Sequence, residues 1–63
     1  MTNKEKQLID LLLFRGYNKK DIIAISLVAR NDNTTENVLN FVKENKNIDF
    51  EELFDYVLNI KNN

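Results

Sequence analysis

The sequence contains no proline and only one glycine, Gly16, among its 63 residues. Folds built from β-strands need tight turns, and tight turns draw heavily on these two residue types. A chain almost without them favours helices that are joined by short polar connections. The positions of capping residues then divide the chain into four predicted helices.

The first predicted helix runs from about Asn3 to Arg15. Thr2 can cap its start, and Glu5, three residues later, completes a capping box. Leucines at positions 8, 11 and 12 share one face of this helix. Gly16 follows the last apolar position, where a left-handed C-terminal cap favours a residue without Cβ.

The second predicted helix has Asn18 as its N-cap and ends near Arg30. Tyr17 before the cap and Ile22 inside the helix can form a hydrophobic staple. Residues 22–29 are apolar nearly all round, so we expect this helix to be the central and most buried one. Its β-branched residues would also suit a strand, but the chain offers no second strand as a pairing partner.

The third predicted helix follows a polar connection at residues 31–33, with Asn33 or Thr34 as its cap and Glu36 in its first turn. Its apolar stripe, at positions 38, 39, 41 and 42, is narrower than that of the second helix. The polar residues 45–47 end it.

The fourth predicted helix runs from Phe50 to Ile60 and repeats the start signals of the second. Asp49 is its cap, Glu52 closes a capping box, and residues 48 and 53 form a staple. Short connections between helices of this length are typical of compact antiparallel packing. The sequence therefore predicts one all-α domain over residues 1–63, a compact four-helix fold.

Several activities are excluded by residue types that the chain lacks. It has no cysteine and no histidine, which removes disulfides, thiolate zinc sites, a cysteine nucleophile and the commonest general base. Ser26 lies within the most apolar helix, and we expect its hydroxyl to bond back to a carbonyl one turn earlier. We predict that the protein is not an enzyme and holds no cofactor or metal. The missing cysteines also fit a reducing compartment, and we expect the protein in the cytoplasm.

Charge and hydropathy argue against two classes of partner, nucleic acids and membranes. Nine basic and ten acidic residues give a net charge of −1, whereas nucleic-acid binders usually carry a basic excess. If nucleic acid is bound, the candidate contacts are Lys19, Lys20 and Lys43, although Glu36 and Glu44 on the third helix oppose docking. No apolar run approaches the length of about 18 residues that a membrane span needs.

Two stretches form a pattern: Leu11-Leu12-x-x-Arg15-Gly16-Tyr17-x-x-x-x-Ile22-x-Ala24 and, after a polar turn, Asn37-Val38-Leu39-Asn40-Phe41-Val42. Together they resemble the ubiquitin-associated (UBA-like) three-helix fold, over about residues 5–45. In that family a glycine–aromatic corner joins the first two helices, and a short third helix packs beside them. The resemblance implies a UBA-like core to which the fourth helix is an addition. It also implies a contact corner, without naming a ligand.

The candidate partner contact is therefore the corner formed by Phe14, Arg15, Gly16 and Tyr17. An aromatic residue beside a helix cap serves either as an exposed anchor for a partner or as a staple, and the sequence leaves both open. The candidates for apolar surface that a chain this small leaves exposed are Leu13, Phe14, Tyr17, Tyr56 and Ile60.

We predict a non-enzymatic protein-interaction module or a small regulatory protein, whose partner is another protein or a second copy of itself. The alternatives are a small nucleic-acid-binding regulator and a structural homodimer, an arrangement that small cores often require.

Overall fold

The computed structural model describes residues 2–62. They form four helices, α1 (Asn3–Phe14), α2 (Lys19–Val28), α3 (Asp32–Glu44) and α4 (Phe50–Asn62). This part of the chain contains no strand, so the prediction of an all-α four-helix fold is confirmed.

Three of the four helices, α1, α2 and α4, begin at the capping residues that the sequence predicts. In α1, the Glu5 backbone N–H donates to Thr2 Oγ1 at 3.2 Å, and the Thr2 backbone N–H donates to the Glu5 carboxylate at 3.4 Å. This is the predicted capping box. Asn18 and Asp49 each accept, through Oδ1, a hydrogen bond of 2.9 Å from the backbone N–H three residues later. Each cap satisfies a helix N–H that has no partner within its own helix.

The predicted start of the third helix is wrong by two or three residues. Its N-cap is Asn31, whose Oδ1 accepts a hydrogen bond of 2.8 Å from the Thr34 backbone N–H, and the helix begins at Asp32. Asn33 and Thr34, the two predicted caps, therefore lie inside the first turn. Glu36 falls outside that turn as a result, and there it accepts a 2.8 Å hydrogen bond from the Lys4 ammonium.

One hydrogen bond between the first turn of α3 and the end of α2 favours this earlier start. Thr34 and Thr35 are both buried, and the Thr35 hydroxyl donates to the carbonyl of Ala29, the C-cap of α2. The first turn of α3 thus supplies a partner for a helix-end carbonyl that α2 cannot satisfy itself. It also fixes the end of α2 at Val28 rather than near Arg30.

Each helix packs mainly against two others. α1 contacts α2 and α3, and α4 contacts the same two helices from its own side. The ten apolar side chains that this arrangement buries come from all four helices and the C-cap of α2. They are Leu8, Leu12, Ile22, Ile25, Ala29, Val38, Leu39, Val42, Leu53 and Val57.

The prediction that the second helix is the most buried one is wrong. Only Ile22 and Ile25 are buried within α2, whereas α3 buries five side chains. Because α2 has its main contacts on the sides of α1 and α4, its remaining side is left to solvent. Ile23 and Leu27 on that side are 58% and 54% exposed.

Aromatic side chains close the side of the core between α3 and α4. Phe41 and Tyr56 stack with ring centroids 3.8 Å apart and ring planes 4° from parallel. Ile60, like Tyr56 and Tyr17, is half-buried and packs against the core. Of the five residues predicted to be exposed, only Leu13 (52%) and Phe14 (85%) are largely open to solvent.

Candidate interaction surface

The corner between α1 and α2 is a complete left-handed helix cap. Gly16 has φ = +91°, a conformation that strains any residue with a Cβ. The Gly16 N–H donates to the Leu13 carbonyl and the Tyr17 N–H donates to the Leu12 carbonyl, both at 3.1 Å. This pair of bonds is the Schellman motif, which satisfies the last carbonyls of α1.

Two of the four predicted contact residues hold this corner against the other half of the protein. The Arg15 guanidinium donates to the Val42 carbonyl in the last turn of α3, at 2.9 Å. The Tyr17 hydroxyl donates to the Ile48 carbonyl in the connection between α3 and α4. Burial raises the pKa of the Tyr17 hydroxyl above its ordinary value, against a smaller opposite effect of the Arg15 charge. Both side chains therefore have structural partners.

Phe14 differs from its neighbours in the corner. It lies two positions after the buried Leu12, which places it about 200° around α1, on the side away from the core. At 85% exposure it is the most exposed of the large apolar side chains among residues 2–62. The corner thus presents one free aromatic ring beside two anchored side chains.

An apolar groove of about 370 Å³ lies between α1 and α2. Its walls are Ile9 and Leu13 from α1 and Ile22, Ile23 and Leu27 from α2. Leu13, Ile23 and Leu27 are each more than half exposed, so the groove opens to solvent along both helices. Of the residues that the sequence singles out for exposure or contact, Leu13 and Lys19 line this groove.

Ser26 also lines this groove. Its hydroxyl oxygen is buried and has no hydrogen-bond partner among the described residues. The expected bond to a carbonyl one turn earlier is therefore absent, and that prediction is wrong. The hydroxyl lies under the apolar walls, so the groove offers hardly any polar surface of its own.

The three lysines predicted for nucleic-acid contact lie on two helix ends that meet at the corner. Lys19 and Lys20 are the first residues of α2, and Lys43 is in the last turn of α3, next to the carbonyl that accepts the Arg15 hydrogen bond. Carboxylates accompany them, since Asp21 and Glu44 lie on the same two ends. The fold therefore gathers lysines and acidic residues together rather than forming a purely basic face.

Charge is distributed unevenly between the two halves of the chain. Residues 1–30 contain six basic and three acidic residues, whereas residues 31–63 contain three basic and seven acidic ones. The groove is formed entirely by the first, positively charged half. A near-zero net charge for the whole chain conceals this difference.

Comparison with known proteins finds no match to a family model, to a curated protein or to a solved structure. The UBA-like resemblance of residues 5–45 stays a prediction. Among residues 2–62, no group of three or more carboxylates lies close enough together to hold a metal ion. No helix in the same range has the length and apolar character needed to cross a membrane.

The surface also includes Ile23, Leu27 and the partly exposed Leu58, which the sequence pattern does not predict to be exposed. One signal for the first two was present. Lys20, Ile23 and Leu27 are spaced i, i+3, i+7 and so lie along one edge of α2. A lysine in such a row indicates that the row reaches solvent.

Proposed function

We propose that this chain is a non-enzymatic protein-interaction module or small regulatory protein, and that the groove between α1 and α2 is its contact surface. The observation that carries the proposal is the contiguity of Leu13, Ile23 and Leu27, which are each more than half exposed and line one groove. Single exposed aliphatics are ordinary on protein surfaces. Apolar side chains gathered into one exposed patch mark interaction sites.

The predicted corner then lies at the edge of this surface rather than at its centre. Phe14 follows Leu13 directly and is free to contact a bound partner, whereas Arg15 and Tyr17 have bonds within the protein. We propose Phe14 as a secondary contact, with Gly16 and the two anchored side chains setting its position. The cytoplasm remains the proposed location, since a chain without cysteine fits a reducing compartment.

Site-specific photo-crosslinking in cells of the source organism tests the proposal. A photoreactive phenylalanine analogue replaces Leu27 at the mouth of the groove, and in a matched control it replaces the exposed Asn59 on α4. We expect discrete protein adducts from position 27 that survive nuclease treatment and are absent at position 59. Adding Phe14→Ala should weaken these adducts, because it removes the proposed secondary contact.

Three outcomes of the crosslinking experiment decide between the candidate functions. Identical adduct patterns from positions 27 and 59 would mean that the groove is not a specific contact surface. Adducts with nucleic acid at position 27 would instead support the nucleic-acid-binding alternative and its lysines. A captured protein must also bind the purified wild-type chain, and this binding must be lost in Ile23→Gln.

A further inference from the structure

Lysines lie along both helices that form the groove between α1 and α2. Lys6, Ile9 and Leu13 are spaced i, i+3, i+7 along α1, and Lys20 heads the matching row on α2. Lys19 itself lines the groove. Because the corner joins the end of α1 to the start of α2, Lys19 and Lys20 lie at the corner end of the groove and Lys6 towards the other.

Two acidic residues lie near the groove, against three lysines. Asp10 lies beside Leu13 on the outer edge of α1, and Asp21 is the acidic residue in the first turn of α2. The ion pair found among residues 2–62 joins Lys4 to Glu36 and uses none of the three lysines at the groove. Their charges therefore remain available to a bound partner.

The position of Lys19 and Lys20 is unfavourable for α2 itself. They are its first two residues, and the N-terminal end of a helix carries a partial positive charge that favours acidic side chains. Neither lysine contributes to the core, since both are exposed. Asn18 and Asp21 in the same turn offset part of this cost. Features that oppose local stability concentrate at functional sites.

From these observations we infer that the groove binds an amphipathic helix of another protein, whose apolar stripe is bordered by acidic side chains. The inference rests on the proposed function and names the chemistry of the partner. The groove runs between two helices, and its walls take apolar residues spaced i, i+3 or i+4, and i+7, as in other helix-in-groove complexes. Glutamates or aspartates that flank this stripe lie opposite Lys6, Lys19 and Lys20.

Other occupants fit the same observations less well. In a twofold dimer through this face, the positively charged half of one copy would meet that of the other. Small-molecule sites usually provide a few polar groups that orient the ligand, and the one hydroxyl at this groove is buried under its walls. A lipid surface is contacted by a protruding apolar face, whereas this surface is concave.

A displayed library of helical peptides tests the charge and the geometry together. Each peptide has about four helical turns, with leucine fixed on one face at i, i+3 or i+4, and i+7. The flanking positions vary among glutamate, glutamine and lysine. Selection against the whole purified protein should enrich glutamate at the flanks. The selected peptides should perturb the amide NMR signals of α1 and α2 around the groove, and not those of α4.

Three variants sharpen the assignment. Ile23→Gln removes an exposed wall residue and should weaken the selected peptides by about tenfold or more, whereas Leu58→Gln on α4 should leave binding unchanged. The double variant Lys19→Gln, Lys20→Gln should weaken binding several-fold at low salt. This effect should shrink at high salt, because surface charges are then screened. Circular dichroism of each variant confirms that it is folded.

Several results would overturn the inference. They are enrichment of lysine or no charge preference at the flanks, binding that maps to α3 and α4, and binding that Ile23→Gln does not affect. Selective binding to phosphatidylglycerol vesicles without peptide binding assigns the groove to a membrane instead. A dimer in sedimentation experiments that Ile23→Gln dissociates assigns it to a second copy. A protein crosslinked at position 27 whose contact segment is not an acidic helix contradicts the inference alone and leaves the proposed function standing.

Discussion

Two isoleucines in α2 provide a matched test of the fold. Ile23 and Ile25 are the same residue type, two positions apart in one helix, and the sequence alone treats them alike. In the structure Ile25 is fully buried, whereas Ile23 is 58% exposed at the edge of the groove. Replacing each in turn by alanine should therefore affect stability very differently.

The expected magnitudes follow from burial. Full burial of an isoleucine side chain contributes about 1.5–3 kcal/mol, and Ile23 buries less than half of its surface. Its contribution is then roughly 0.6–1.3 kcal/mol, and the higher helix propensity of alanine offsets about 0.4 kcal/mol of this. Ile23→Ala should thus lower the free energy of unfolding by less than about 1 kcal/mol. Ile25→Ala also leaves a cavity and should lower it by about 2–5 kcal/mol.

Thermal unfolding followed by circular dichroism separates these outcomes. For a domain of this size, 1 kcal/mol corresponds to a shift in Tm of about 4–8 °C. Ile23→Ala should lower Tm by less than about 8 °C, while Ile25→Ala should lower it by about 8–40 °C or prevent folding. Equally large losses of stability in the two variants would show that α2 is buried on all sides. The groove would then not be open, and the reasoning about the interaction surface would fail.

Substitutions at four further positions test individual features. Thr35→Val keeps the side-chain shape but leaves the Ala29 carbonyl without its partner, so the free energy of unfolding should fall by about 1–3 kcal/mol in urea titrations, whereas Thr35→Ser should retain the bond. Gly16→Ala should lower the free energy of unfolding by about 1–2 kcal/mol. Backbone strain alone causes this loss, because an added Cβ meets no atom within 4 Å. Gly16→Asn should lower the free energy of unfolding less, because asparagine tolerates the left-handed conformation better. Ser26→Ala should raise it by about 0.5–1 kcal/mol, because it removes a buried hydroxyl without a partner and improves helix propensity. Burial raises the pKa of Tyr17 in the folded protein, so the neutral hydroxyl stabilises the fold below the ordinary tyrosine pKa near 10. That stabilisation is lost as the pH rises through the folded-state pKa. Tyr17→Phe should therefore reduce the fall in the free energy of unfolding that is measured above pH 10.

Caps whose partners lie within a few residues could be predicted from the sequence. Thr2, Asn18 and Asp49 each bond a backbone N–H three positions on, and the left-handed Gly16 closes α1 through carbonyls of its own last turn. The third helix was harder because consecutive polar residues all suit a cap. Its start was decided by the burial of Thr35 against the end of α2, which is a tertiary contact.

The roles of the corner residues depend on partners far along the chain. Arg15 bonds a carbonyl 27 residues away, and Tyr17 bonds one 31 residues away. Hydrogen-bond donors at these positions are equally compatible with contact to a partner, so the sequence pattern alone could not assign them. The exposure of Phe14 (85%) follows from its angle on α1 and could be inferred from the helix geometry.

The outer edge of α2 is not explained by folding. Ile22, Ile25 and Ala29 supply its buried surface, and polar residues at positions 23 and 27 would fit the same helix while improving solubility. The edge instead carries two exposed aliphatics and begins with Lys19 and Lys20, which oppose the helix dipole. These two departures from local stability rules are independent, since one concerns hydrophobicity and the other charge. Their coincidence on one edge, beside an open groove, is what binding to an apolar and acidic partner would require.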